Sequence, residues 1–255
     1  SALGQSAELD AMLILAKKTP ALLSAIASGA ANNSRVPSRT EAATEFLTSK
    51  ASGVRVAAAQ LCGTWKIRSA RAKLLQMTGS KNLQLNEAAS LCHALGSLEA
   101  TADLQKLSQS GNSSKVRAAA VAAWAKSDAN KASVPAAALL ASLADAGTSE
   151  AEAVYNAFIG LREGVGGLTR ALANSKLRRP IAIAGVALAH ASGRDLAPLI
   201  AALNRAGGLQ PLAQNLSAQE RTKLLADAHK SGNALRGREI YQRKAVRDTR
   251  LLEKY

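Results

Sequence analysis

A nine-residue segment recurs at a fixed spacing of 31 residues in the first half of the chain. Its three copies begin at Val54, Leu85 and Val116, and each has alanine at its fourth and fifth positions. Periods of about 20 to 50 residues are typical of solenoids, because one helical hairpin cannot bury its apolar face alone, whereas stacked hairpins share a continuous core. The repeat therefore predicts an all-α chain folded as an α-solenoid over residues 1–230.

Weaker copies of the segment occur at 41–47, 150–158 and 179–188. Between the copies, leucines three or four residues apart predict a second, amphipathic helix in each unit. These leucines are Leu104 and Leu107; Leu139, Leu140 and Leu143; Leu168 and Leu172; Leu199 and Leu203. Hydrophobic residues make up 47% of the chain and aromatic residues only 3%, so the core is mainly alanine and leucine, which favour helix. We expect roughly 70% helix, arranged as HEAT- or armadillo-like hairpins.

Capping residues, glycines and prolines predict where the helices begin and end. A serine followed three residues later by glutamate predicts capped helix starts at Ser38, Ser149 and Ser217. Glycines after periodic runs predict helix stops at Gly79, Gly111, Gly147, Gly193, Gly207, Gly208 and Gly232. Prolines are expected near helix starts, at Pro37, Pro135, Pro180 and Pro198. The glycine-rich segment 164–167 is interpreted as a turn between helices.

The chain is strongly basic, with 33 Lys and Arg against 18 Asp and Glu and a formal net charge of +15. The segment 46–86 contains seven basic residues and no acidic one, which predicts a local positive surface. Together with a second basic pair, these residues form a candidate basic binding patch: Lys50, Arg55, Lys66, Arg68, Arg71, Lys73, Lys81, Arg178 and Arg179. Such a patch could bind phosphates, with Trp65 stacking on a base. The alternative is that Trp65, like Trp124 and Phe158, fills the core.

No set of residues in the sequence is arranged for catalysis or for binding a cofactor or metal. His93, His190 and His229 are far apart and lack a second ligand at metal spacing. Cys62 and Cys92 lie in Ala/Leu-rich helical patterns and are expected to be buried hydrophobic residues. The sequence therefore predicts no cofactor and no enzyme activity. It also lacks the run of about 20 apolar residues that a membrane-spanning helix needs.

The Val-Arg-x-Ala-Ala-Ala repeats and the segment Gly232–Tyr241, Gly-Asn-Ala-Leu-Arg-Gly-Arg-Glu-Ile-Tyr, resemble the HEAT-like region of large planctomycete-type membrane-bound dehydrogenases that carry haem-binding modules. In that family a β-propeller precedes the HEAT-like region and a cytochrome c domain follows it. The resemblance implies that residues 231–255 are the start of such a cytochrome domain. This chain has no cysteine there, so these residues cannot attach haem. The resemblance further implies an exported or periplasmic protein.

Two functions from different classes follow. The first is a non-catalytic scaffold or protein-interaction domain of a larger, exported redox protein, whose partners are neighbouring domains or another protein. The alternative is a basic HEAT-like DNA-binding protein or an enzyme similar to the alkylpurine DNA glycosylases, which requires an acidic residue and aromatic side chains exposed on a basic concave face. A tetrapyrrole lyase or chaperone would need an open pocket with a polar anchor, and the sequence indicates no such anchor.

Overall fold

The computed structural model describes residues 6–19, 21–32, 36–80, 82–209 and 217–233. Helix accounts for 73% of these residues and none of them forms a strand, so the all-α prediction is confirmed. The chain divides into two compact units, residues 1–209 and residues 210–255. In the second unit the structure describes one helix, α14, spanning Ala218–Ser231.

The described part of the first unit contains thirteen α-helices joined by short connections. They are α1 (Ser6–Lys18), α2 (Ala21–Ala31), α3 (Ala42–Glu45), α4 (Ser52–Thr64), α5 (Arg71–Thr78), α6 (Leu85–Ser97), α7 (Thr101–Leu107), α8 (Ser114–Ala125), α9 (Ala129–Ser142), α10 (Thr148–Ile159), α11 (Gly164–Leu172), α12 (Arg179–Ala191) and α13 (Ala197–Ala206). Short 3₁₀ helices span Phe46–Thr48 and Arg68–Ala70.

Helices that are alternate along the chain pack side by side. Helix α4 packs against α2 and α6, α6 against α8, α8 against α10, and α10 against α12. The intervening helices also pack on these, with α5 on α6, α7 and α9 on α8, and α13 on α12. Helices α9, α11 and α13 contact one another in the same alternating order. The three copies of the 31-residue segment lie in α4, α6 and α8, so the repeated sequence forms the helices that pack together.

Small side chains explain how closely these helices approach. The first repeated alanine of each copy, at Ala57, Ala88 and Ala119, is at most 3% exposed. At Gly63 an added Cβ would lie 2.9 Å from the Cα of Ala94, so α4 and α6 touch backbone to backbone at this point. Larger residues at these positions would hold the helices apart and would remove dispersion contacts between them.

Several predicted helix ends are confirmed, and two of the predicted capping boxes are wrong. Gly193 and Gly208 follow α12 and α13 with φ values of +66° and +58°, the left-handed backbone that favours glycine. Helix α10 begins at Thr148, so Ser149 is inside it and Gly147 precedes its start rather than ending a helix. Helix α3 begins after Glu41, which makes no side-chain capping hydrogen bond. The third box begins at Ser217, directly before α14, but the side chain of Glu220 lies outside the described residues.

Two further local predictions are wrong because tertiary packing overrides local preference. Pro135 lies inside α9 rather than near its start, although it cannot donate a backbone hydrogen bond there. The neighbouring Ala136 is fully buried, so the helix is held by its packing. The predicted turn at 164–167 forms the first turn of α11. An added Cβ at Gly164 would lie 2.6 Å from the carbonyl oxygen of Phe158, so this helix start needs glycine to fit against α10.

Candidate binding surface

Eight of the nine residues of the predicted basic patch lie in the described part of the chain, and Lys81 lies outside it. Not all of these eight side chains are free to bind an anion. Three of the eight form ion pairs with carboxylates, and a fourth donates a hydrogen bond to a backbone carbonyl. The net positive charge of the patch is therefore smaller than the sequence window suggests.

Arg55 is bound to Glu87 across the α4–α6 interface. Its Nε and Nη2 donate to the two carboxylate oxygens at 2.5 and 2.9 Å, while Nη1 donates to the carbonyls of Ser49 and Lys50 at 2.8 and 2.9 Å. The hydroxyl of Ser52 donates to the same carboxylate at 3.0 Å. The Glu87 side chain is only 3% exposed. The hydrogen bond from Arg55 is the main cause that lowers the pKa of Glu87, despite the opposing effect of burial.

Part of this arrangement recurs two repeats further along the chain, at the α8–α10 interface. Ser114 is the first residue of α8, as Ser52 is of α4, and it donates to Glu150, the third residue of α10, at 3.1 Å. Arg117 occupies the place of Arg55, but it donates to the carbonyl of Ser108 and the hydroxyl of Ser142 and forms no ion pair with the described residues. Burial lowers its pKa. Of these two interfaces, the α4–α6 interface has the complete Ser–Arg–Glu cluster.

Two other patch residues form more exposed ion pairs. Arg71 on α5 donates to Asp103 on α7 at 2.7 Å, and Arg178 lies 3.7 Å from Asp145. Both arginine side chains are more than half exposed, so salt screens these pairs and they contribute little to stability. Their effect is to neutralise part of the positive surface that phosphates would need.

The remaining described patch residues keep their charge available. The Lys73 ammonium donates one hydrogen bond, to the carbonyl of Thr44 at 3.1 Å, which leaves two of its three N–H groups for another acceptor. The others are exposed and form no ion pair within the described ranges. They are Lys50, Lys66, Arg68 and Arg179.

Arg55 and Lys73 both line a cleft of about 570 Å³, which we call the α5–α6 cleft. Within the described part of the chain, the charged residues that line it are these two cations and Glu87. Its other polar lining residues are Thr48, Gln76, Ser80 and Asn82. Its apolar lining comes from Leu47, Met77 and Leu83. The volume is within the usual range of about 300 to 1,000 Å³ for ligand-binding pockets.

The aromatic side chains named in the sequence analysis are in the core. Trp65 is 7% exposed, Trp124 is 8% exposed and Phe158 is fully buried, so the core interpretation is confirmed and Trp65 is not placed to stack on a base. The indole Nε1 atoms of both tryptophans and the hydroxyl of Tyr155 are buried without a hydrogen-bond partner among the described residues. The large apolar area of these aromatic side chains favours their burial, although their polar atoms gain no hydrogen bond.

The two cysteines are also buried, as the sequence predicts. Burial raises the pKa of both thiols to about 12, so neither forms the reactive thiolate near neutral pH. Among the residues that the structure describes, no three His, Cys, Asp or Glu side chains are grouped to hold a metal ion. No described helix is long and apolar enough to cross a membrane.

Comparison of the chain with known protein families, with curated proteins and with solved structures gives no match.

Proposed function

We propose that the chain is a non-catalytic, protein-binding scaffold built as a HEAT-like α-solenoid. The observation that carries this proposal is the alternating packing of α4, α6, α8, α10 and α12, in register with the repeated sequence. Stacked hairpins give an extended surface whose residues are set by the helices beneath them, which is how repeat proteins bind partners. Because the sequence resembles the HEAT-like region of planctomycete-type membrane-bound dehydrogenases, we further propose that the chain is a spacer within a larger, exported redox protein.

A DNA-binding or base-excising role is the less favoured proposal. It needs an extended positive surface, and Arg55, Arg71 and Arg178 are paired with carboxylates. It also needs exposed aromatic side chains, and Trp65 and Trp124 are buried.

Purification of the tagged chain from its cells of origin tests the binding role. After cross-linking, nuclease treatment and a wash at moderate salt, we expect a protein partner to remain bound, in an amount roughly equal to that of the tagged chain. Phosphate-dominated complexes weaken steeply with salt. A chain that co-purifies only with nucleic acid, and loses it on nuclease treatment, would contradict the scaffold and favour the DNA-binding proposal.

Deletion of one complete repeat tests the solenoid. Removing residues 83–113, which takes out α6 and α7 together, should leave a chain that is still helical by circular dichroism and unfolds cooperatively at a lower midpoint. The reason is that each repeat in a solenoid contacts only its neighbours, so α4 and α8 can meet across the deletion.

The matched control removes residues 83–98, which takes out α6 alone. Helices α5 and α7 then follow each other directly, so the alternation of first and second helices is broken. We expect broad, non-cooperative unfolding. Equal disruption by the two deletions would show that the chain is not a stack of interchangeable hairpins.

A further inference from the structure

We propose that the α5–α6 cleft binds an acidic peptide segment of a partner protein, with the Lys73 ammonium holding one Asp or Glu carboxylate. This inference rests on the proposed scaffold function and names the chemistry of its partner. In this cleft the charged groups lie in a concave site together with uncharged polar and apolar side chains.

The positive charge available in the described part of the cleft lies on Lys73. Arg55 is neutralised by Glu87, and four of the five N–H groups of its guanidinium are used within the chain. Lys73 has no acidic partner among the described residues and retains two N–H groups. Lys73 is therefore the described lining residue with a positive charge available to hold an added carboxylate.

The uncharged lining fits a peptide more closely than a nucleic acid. The side-chain amides of Gln76 and Asn82 each offer donors and an acceptor, which suits the N–H and C=O groups of a peptide backbone. Leu47, Met77 and Leu83 supply an apolar wall for a neighbouring aliphatic side chain. A phosphate backbone would need several unpaired cations in a row, and the described lining of this cleft supplies one, Lys73.

The structure also fixes the position of the Lys73 ammonium. Its hydrogen bond to the carbonyl of Thr44 ties α5 to α3 and holds the charge at the cleft. A side chain that is already ordered loses less conformational entropy on binding than a free surface lysine does. Lys73 is therefore a better anchor than the exposed lysines Lys50 and Lys66.

The experiment measures fluorescence anisotropy of a labelled seven-residue peptide with one central glutamate flanked by leucine and glutamine, at moderate salt. We expect Lys73→Met to weaken binding about tenfold or more, because a hydrogen-bonded charge pair is lost. Lys18→Met is the matched control. Lys18 is an exposed lysine on α1, so this substitution removes the same charge at a place away from the cleft. It should change binding by less than about twofold.

A second variant keeps the charge and fills the site. Asn82→Trp places a large side chain at the rim, where Asn82 is exposed, and should also weaken binding while leaving the circular dichroism spectrum unchanged. A peptide with glutamine in place of glutamate should bind at least tenfold more weakly than the acidic peptide.

Three outcomes would overturn the cleft proposal. They are no binding of the acidic peptide, equal weakening by Lys73→Met and Lys18→Met, and displacement of the peptide by duplex DNA that depends on Lys73. The first two would leave the scaffold proposal standing, because co-purification of a protein partner tests it separately.

Discussion

Replacing Glu87 with leucine is expected to lower the free energy of unfolding by about 3 kcal/mol. The substitution removes a carboxylate that is 3% exposed and leaves the Arg55 guanidinium, 24% exposed, without its counter-charge. The hydroxyl of Ser52 loses its acceptor as well. Urea unfolding at neutral pH, followed by circular dichroism, measures the change.

Two further variants identify the ion pair as the cause. The double variant Arg55→Met with Glu87→Leu should be more stable than Glu87→Leu alone, because two apolar side chains need no counter-charge. Glu150→Leu is the matched control, since Glu150 occupies the same place in α10 and hydrogen-bonds to Ser114, but forms no ion pair with a described residue. Its loss should be smaller, about 1 kcal/mol. Equal losses at Glu87 and Glu150 would mean that Arg55 does not stabilise the interface.

The same pair predicts a dependence on pH. The pKa of Glu87 is lowered in the folded chain, mainly by the hydrogen bond from Arg55, below its ordinary value of 4.5. The unfolded chain therefore takes up the proton first as pH falls, so the pair contributes its full stability above about pH 5 and loses it as pH falls through the folded pKa. The difference in stability between the native chain and Glu87→Leu should shrink below pH 4.5.

Gly63→Ala is expected to destabilise the chain by about 1 to 2 kcal/mol, although alanine normally favours helix. The added Cβ would lie 2.9 Å from the Cα of Ala94 and 3.3 Å from its Cβ, so the α4 and α6 backbones must move apart. Gly53 lies in the same helix and has nothing within 4 Å of an added Cβ. Gly53→Ala should therefore be neutral or stabilising by up to about 1 kcal/mol.

The difference between the two glycine variants isolates the helix contact. Both changes add one methyl group to α4, and the two expected effects differ by about 1 to 3 kcal/mol. Thermal and urea unfolding of both proteins measure it. If the two alanine variants have the same stability, then α4 and α6 do not touch at Gly63 and the close-packed interface is wrong.

The positive surface predicted from segment 46–86 is partly neutralised in the structure, because the sequence window does not show which residues meet across helices. The segment 46–86 is free of acidic residues, and Glu87 is the next residue. Its carboxylate reaches Arg55 because α6 packs beside α4, which places residues 32 positions apart in contact. A repeat of 31 residues was the available signal, since it places Arg55 beside residues near position 86. The cleft is formed by side chains from several separate segments, so no single stretch of the sequence predicts it.

The sequence by itself determined that the chain is helical, that the first alanine of each repeated pair and Trp124 are buried, and that both thiols lie in the core. These features follow from short-range periodicity and from hydrophobicity, which act on every residue wherever the chain later packs. Only the tertiary structure decided that Pro135 lies inside a helix, that the glycines at 164–167 begin one, and which basic side chains are neutralised. Those outcomes depend on contacts between helices, where burial and ion pairing outweigh the preference of each residue considered alone.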